Sequence, residues 1–103
     1  MSHVTTHVLD AALGRPAAGV AVALQGSSVI AEGVTDADGR VSSLGPDALE
    51  PGEYRVTFDT SAYFGDTPHF YPSVTIDFTI SDASHYHVPL LLSPFAYSTY
   101  RGS

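Results

Sequence analysis

The sequence predicts an all-β domain of the sandwich or barrel type. Short runs of alternating apolar and polar residues recur along its 103 residues, and Gly, Pro, Asp and Ser punctuate them. No segment sustains a helical period over the roughly 10 to 12 residues that a helix needs. The length suits one domain, residues 1–103, with a single modest core, and there is no internal repeat or linker.

The elements follow in order. Val4 to Asp10 alternates as a first strand, with Val4, Thr6 and Val8 on one face and His3, Thr5, His7 and Leu9 on the other. Asp10 to Pro16 is a turn closed by Gly14 and Pro16. Val20, Val22 and Leu24 mark a second strand, Gln25-Gly26-Ser27-Ser28 a hairpin, and Val29 to Thr35 a third strand. Asp36-Ala37-Asp38-Gly39 is a tight turn, because Asx side chains close turns and Gly accepts positive φ. Arg40-Val41-Ser42 reads as a short strand, Leu44 to Pro51 as loop, and Glu53 to Asp59 as a strand. Thr60 to Gly65 is the one plausible helix, one or two turns long, with Thr60 as its cap and Gly65 as its end. Val74, Ile76, Phe78 and Ile80 give the clearest alternation. Asp82-Ala83-Ser84 then turns the chain into His85-Tyr86-His87-Val88-Pro89-Leu90-Leu91-Leu92, which breaks at Ser93-Pro94 and resumes. Pro89 on the histidine face marks that strand as a sheet edge or as one with an unusual neighbour, since proline has no N–H for a ladder.

Composition narrows the function classes. The net charge is −7, lysine is absent, and the four basic residues are Arg15, Arg40, Arg55 and Arg101. Nucleic acid and anionic membranes are poor partners for such a surface. Without cysteine there is no disulfide, thiolate metal site or cysteine nucleophile. Met1 to Thr6 has neither a basic region nor a signal-length apolar run, and no segment reaches the roughly 20 apolar residues of a membrane helix. A cytoplasmic protein is the expectation.

His85 and His87 share one strand face, opposite the apolar face of Tyr86, Val88, Leu90 and Leu92. Two solvated surface histidines would satisfy that spacing. So would a general base, because histidine titrates near neutral pH. His7 also points away from an apolar face. The three histidines have a spacing known for zinc, but no carboxylate stands out to orient them and no metal is expected. Arg40 is either a surface partner of Asp36 or Asp38, or a planar fork of donors for a carbonyl-rich or anionic substrate. Arg101 has the same two readings. There is no Gly-x-Ser-x-Gly elbow, and Ser103 is poorly placed for a rigid covalent nucleophile.

Several stretches together resemble one family. They are Thr6-His7-Val8-Leu9-Asp10 with Gly14-Arg15-Pro16-Ala17, Thr35-Asp36-Ala37-Asp38-Gly39-Arg40, Phe70-Tyr71-Pro72, the run from His85 to Pro94, and Tyr100-Arg101-Gly102-Ser103 at the end. The chain resembles the 5-hydroxyisourate hydrolases, the transthyretin-related proteins of purine catabolism, from about residue 3 to residue 103. The final tetrapeptide is the most specific part. The resemblance implies a transthyretin-like sandwich of two four-stranded sheets with one short helix near residues 60–65. It implies hydrolysis of the cyclic amide of 5-hydroxyisourate without a cofactor, giving 2-oxo-4-hydroxy-4-carboxy-5-ureidoimidazoline. It also implies a homotetramer, a dimer of dimers, with sites in the channel between dimers. By matching motif, His7, Arg40, His87 and Ser103 are the catalytic set. His7, Arg40, Tyr100, Arg101, Gly102 and Ser103 contact substrate, and His85 is a supporting or surface residue.

These residue types suit the reaction. Amide hydrolysis needs an activated water, a proton for the leaving nitrogen and a stabilised oxyanion. His7 or His87 serves as base, with His7 the preferred activator of water. Two other readings stay open on fold alone: a hormone-binding channel like that of transthyretin, and a structural β-sandwich module of the kind appended to peptidases and surface proteins.

Overall fold

In the computed structural model, which describes residues 2–41 and 43–103, two four-stranded sheets pack face to face. The strands are β1 (Val4–Asp10), β2 (Arg15–Pro16), β3 (Ala21–Gln25), β4 (Val29–Val34), β5 (Gly52–Asp59), β6 (Val74–Ile80), β7 (Tyr86–Ser93) and β8 (Ala96–Thr99), with helix α1 (Thr60–Phe64) between β5 and β6. One sheet runs β2-β1-β7-β8 and the other β4-β3-β5-β6. The expected architecture of two four-stranded sheets and one short helix is the one observed.

Alternation in the sequence becomes the two-sided character of each strand. Val4 and Val8 of β1 and Val88, Leu90 and Leu92 of β7 face inward, meeting Val22 and Leu24 of β3 and Val56 and Phe58 of β5. Each such side chain contributes about 1.5–3 kcal/mol when fully buried. Polar groups on the inner face are satisfied: Thr6 Oγ1 donates to the Val88 carbonyl at 2.6 Å, and Thr35 Oγ1 donates to the Ala17 carbonyl at 2.7 Å. His3 lies buried rather than on an open face. It accepts from the Leu49 N–H through Nδ1 and donates to the Ser84 carbonyl through Nε2, both at 2.9 Å.

β1 and β7 pair in parallel along their whole length, from Val4↔Tyr86 to Asp10↔Leu92. β7 is thus interior to its sheet, and Pro89 lies not at an edge but beside an interrupted neighbour. The β7–β8 ladder ends at Leu90↔Thr99 and pairing resumes at His87↔Gly102. Pro89 falls in the gap, where no partner needs its missing N–H, and its carbonyl accepts from Thr99 Oγ1 at 2.7 Å.

Three local expectations change. Arg15 and Pro16, read as the close of a turn, pair with Asp10 and Leu9 as β2. The cap of α1 is Asp59, whose carboxylate accepts from the Ala62 N–H, while Thr60 is buried and donates to the Tyr71 carbonyl at 2.6 Å. A carboxylate is as good a cap as a hydroxyl, and one residue of frame decides between them. In place of the short strand expected at Arg40-Val41-Ser42, Arg40 makes a single antiparallel bridge to His7, Val41 is in no strand, and Ser42 lies outside the described residues.

Helix α1 is tied to the first sheet by one polar contact. Tyr63 Oη donates to the buried Asp10 carboxylate at 2.6 Å, and Asp10 also accepts from the Leu13 N–H. Burial first, then the bond to Asp10, pushes the Tyr63 phenol up to about 12. The contribution of this contact is complete below pH 10 and is lost as the pH rises through about 12. Tyr63→Phe leaves a buried carboxylate short of a donor and is expected to cost about 1–3 kcal/mol in urea unfolding at neutral pH. The deficit should shrink above pH 10, where wild type also loses the contact.

Candidate functional site

The outer face of the β2-β1-β7-β8 sheet carries a strip of polar side chains that runs across the strands. Parallel register sets Thr5 opposite His87 and His7 opposite Pro89. Arg40 joins beyond β1 through its bridge to His7, and Gly102 joins beyond β7 through its bridge to His87. Thr5, His7, Arg40, His87 and Gly102, together with Thr6, Val41, His85, Tyr100, Arg101 and Ser103, line a hollow of ≈ 640 Å³ that is open on its outer side. The four expected catalytic positions, His7, Arg40, His87 and Ser103, therefore stand around one space.

His87 is half-buried. Its Nδ1 lies 2.8 Å from Thr5 Oγ1, so Nε2 is the ring nitrogen left for chemistry. Burial lowers its pKa most, followed by the positive charge of Arg40 and the neighbouring His7 and His85 rings. The ring is thus held neutral at neutral pH, as a proton acceptor must be. His85 is exposed, stacks near-parallel to His87 with ring centroids 6.4 Å apart, and brings Nε2 within 2.7 Å of the same Thr5 hydroxyl.

His7 and Arg40 are placed by the Asp36–Gly39 turn. Asp36 accepts from the N–H groups of Asp38 and Arg40, which closes the turn. Gly39 has φ 77, and a Cβ there would sit 2.3 Å from the Val8 carbonyl, so only glycine lets the turn dock on β1. Once docked, its Asp38 carbonyl accepts from His7 Nε2–H at 2.7 Å. A carbonyl only accepts, so in the neutral ring Nε2 holds the proton and Nδ1 carries the lone pair. The ion pair weighed from sequence is not made: among the described residues Arg40 pairs with neither Asp36 nor Asp38. Asp36 is occupied by backbone, and the Arg40 guanidinium faces the hollow unneutralised.

The tail closes the other side. The Gly102 N–H donates to the His87 carbonyl at 2.9 Å, and a Cβ on Gly102 would lie 2.5 Å from His87 Cδ2. Glycine is required because the imidazole edge occupies that volume. Arg101 lines the hollow, yet its guanidinium sits 4.2 Å above the Tyr86 ring and donates to Ser84 Oγ and the His85 carbonyl. It anchors the tail to the turn before β7. Ser103 follows at the rim, and Tyr100 stands exposed beside it.

One residue of the strip, Thr5, went unnoticed in the sequence. Its signal was its place two residues before His7 on the same strand face. Among the described residues, no group of three His, Cys, Asp or Glu side chains is arranged to hold a metal ion.

A β-sandwich that gathers two histidines, an unpaired arginine and a serine around an open hollow presents a polar site of small-molecule size. The sequence profile of the HIUase/Transthyretin family matches residues 4–102. The chain belongs to the HIUase/Transthyretin family. It is 47% identical to the 5-hydroxyisourate hydrolase of Salmonella typhimurium, over 97% of this chain and 80% of that protein. Its fold superposes on Klebsiella pneumoniae 5-hydroxyisourate hydrolase with a TM-score of 0.89 at 39% identity, covering 97% and 98% of the two chains. Transthyretin from Sparus aurata is similar too, with a TM-score of 0.87 at 37% identity over 99% and 97%.

Two outcomes test the geometry. In Arg40→Ala the NMR titration midpoint of the His87 ring should rise, because a nearby positive charge is removed. Gly102→Ala should displace the tail from His87, visible as shifted His87 ring resonances in a protein that still unfolds cooperatively.

Proposed function

We propose that the protein hydrolyses 5-hydroxyisourate to 2-oxo-4-hydroxy-4-carboxy-5-ureidoimidazoline in urate catabolism. The observation that carries this reading is the convergence of two histidines, each with one ring nitrogen free, an unpaired guanidinium and Ser103 on one hollow. The similarity to curated hydrolases supports it.

Water attacks the ring amide carbonyl while His87 Nε2 takes one of its protons. His87 suits this step because Thr5 and Gly102 hold its ring with Nε2 free. The lone pair on His7 Nδ1 accepts a hydrogen bond from water or substrate. The oxyanion of the tetrahedral intermediate gathers charge beside Arg40, and electrostatic stabilisation of this kind is commonly the largest catalytic contribution. The C–N bond then breaks, His87 returns its proton to the leaving nitrogen, and the carbonyl becomes a carboxylate. Ser103, Gly102, Tyr100 and Arg101 border the substrate and orient it. No cofactor enters the scheme.

The hollow is open and lies on a sheet face. A second copy over that face would make it a pocket of the depth that ligand sites need. We therefore assign a homotetramer, a dimer of dimers, with sites between dimers, acting in the cytoplasm. A hormone carrier on the same scaffold is the competing reading, and the polar lining of this hollow speaks against it.

Freshly generated 5-hydroxyisourate should decay faster with the protein, with or without chelator. His87→Ala, Arg40→Ala and deletion of Ser103 should each slow that catalysis by about 100-fold or more. Unchanged decay with intact protein would overturn the enzyme assignment, and loss on chelation would point to a metal. Full activity from a sedimenting monomer would remove the tetramer.

A further inference from the structure

The geometry points to Thr5 as a positioning residue: its hydroxyl, held between the two rings of β7, selects the His87 tautomer whose Nε2 is free to take a proton. The inference rests on the hydrolytic reading of the site and adds a residue and a role to it.

Thr5 Oγ1 is 2.8 Å from His87 Nδ1 and 2.7 Å from His85 Nε2. A hydroxyl has one proton to donate and lone pairs to accept. The three groups are satisfied together when the hydroxyl accepts from one ring and donates to the other. If it accepts from His87 Nδ1–H and donates to a bare His85 Nε2, then His87 Nε2 carries the lone pair. If the direction is reversed, His87 Nε2 carries the proton and cannot act as a base. Which ring nitrogen is protonated is set by the bond that the other nitrogen makes. Catalysis by His87 Nε2 therefore needs the first direction, with His85 as the acceptor that draws the Thr5 proton away.

Register makes this contact hard to avoid. Thr5 and His87 are Cα partners in the parallel β1–β7 pair, and both side chains leave the same face. The ring edge opposite Thr5 is fixed by Gly102, which lies against His87 Cδ2, the carbon next to Nε2. Nδ1 is held from one side and Cδ2 from the other, so the ring cannot flip without breaking both contacts. The charged and titratable groups facing this ring are Arg40 from the turn on β1, His7 from β1, His85 from β7 and Arg101 from the tail. None of these side chains contacts Nδ1; the groups that do belong to Thr5, its hydroxyl and its backbone. In the proton balance, His87 begins as Nδ1–H, gains the water proton at Nε2, and gives that same proton to the leaving nitrogen. Thr5 holds Nδ1–H throughout and exchanges nothing net.

Thr5→Val keeps the shape and removes the hydroxyl, Thr5→Ser keeps the hydroxyl, and His85→Ala removes its acceptor. Thr5→Val should lower kcat about 10- to 100-fold with KM within about threefold, and Thr5→Ser should restore most of the loss. At pH 8, ¹⁵N NMR of the free wild-type protein should show His87 as a single Nδ1–H tautomer, with mixtures in Thr5→Val and His85→Ala. An unchanged kcat and tautomer in Thr5→Val would overturn the assignment. So would a Thr5→Ser as impaired as Thr5→Val, because the loss would then come from packing. A wild-type protein that holds the single tautomer but leaves 5-hydroxyisourate untouched would sink the hydrolase reading and leave the role of Thr5 standing.

Discussion

Everything functional in this molecule hangs on the parallel pairing of β1 with β7. Parallel neighbours need a long connection, and here the whole second sheet lies within that connection. The register of the pair then decides what can meet. Because Thr5 stands opposite His87, a hydroxyl and an imidazole are within hydrogen-bonding distance. A slip of one residue would bring Thr6, which belongs to the core face, into that place and turn His7 inward. The buried Val4, Val8, Val88, Leu90 and Leu92 exact a large penalty for such a slip, so hydrophobic packing on one face sets the geometry of the chemistry on the other.

Two short segments outside the strands complete the strip, and each depends on a glycine for contact rather than for freedom alone. Gly39 lets the Asp36 turn lie on the β1 backbone, which places a carbonyl on His7 and leaves the Arg40 charge unpaired. Gly102 lets the tail lie on the edge of His87, while Arg101 reaches back to Tyr86 to hold it there. The site is thus assembled from backbone docked on a sheet, with the Arg40 charge left uncompensated at the hollow.

The fold was largely legible because alternation reports directly which face of a strand is buried. Val4 to Asp10, Val74 to Ile80 and Tyr86 to Ser93 stand nearly where their patterns put them. Pairing partners were not legible, since alternation says nothing about which strand lies alongside. Pro89 shows this: proline signals a gap in a ladder, and an interrupted neighbour supplies one as well as an edge does. Arg40 shows the limit for charges, because Asp36, one of its two candidate partners, was already taken by backbone N–H groups. The strip of His7, Arg40, His87 and Ser103 was reached through resemblance and not through spacing. Thr5 escaped notice because a threonine in a strand is ordinary until its neighbour across the register is known.

The distance along the chain between the two halves of the strip has a kinetic side. Thr5 and His87 are separated by 82 residues, and β1 has no long-range strand partner until β7 is in place. Closing so large a loop costs entropy before any contact returns it, and folds dominated by such pairings take about milliseconds to seconds to form. The second sheet can assemble from neighbouring hairpins, whereas the site exists only once β1 has docked against β7. Contact between Thr5 and His87 during refolding would therefore report the docking of β1 on β7.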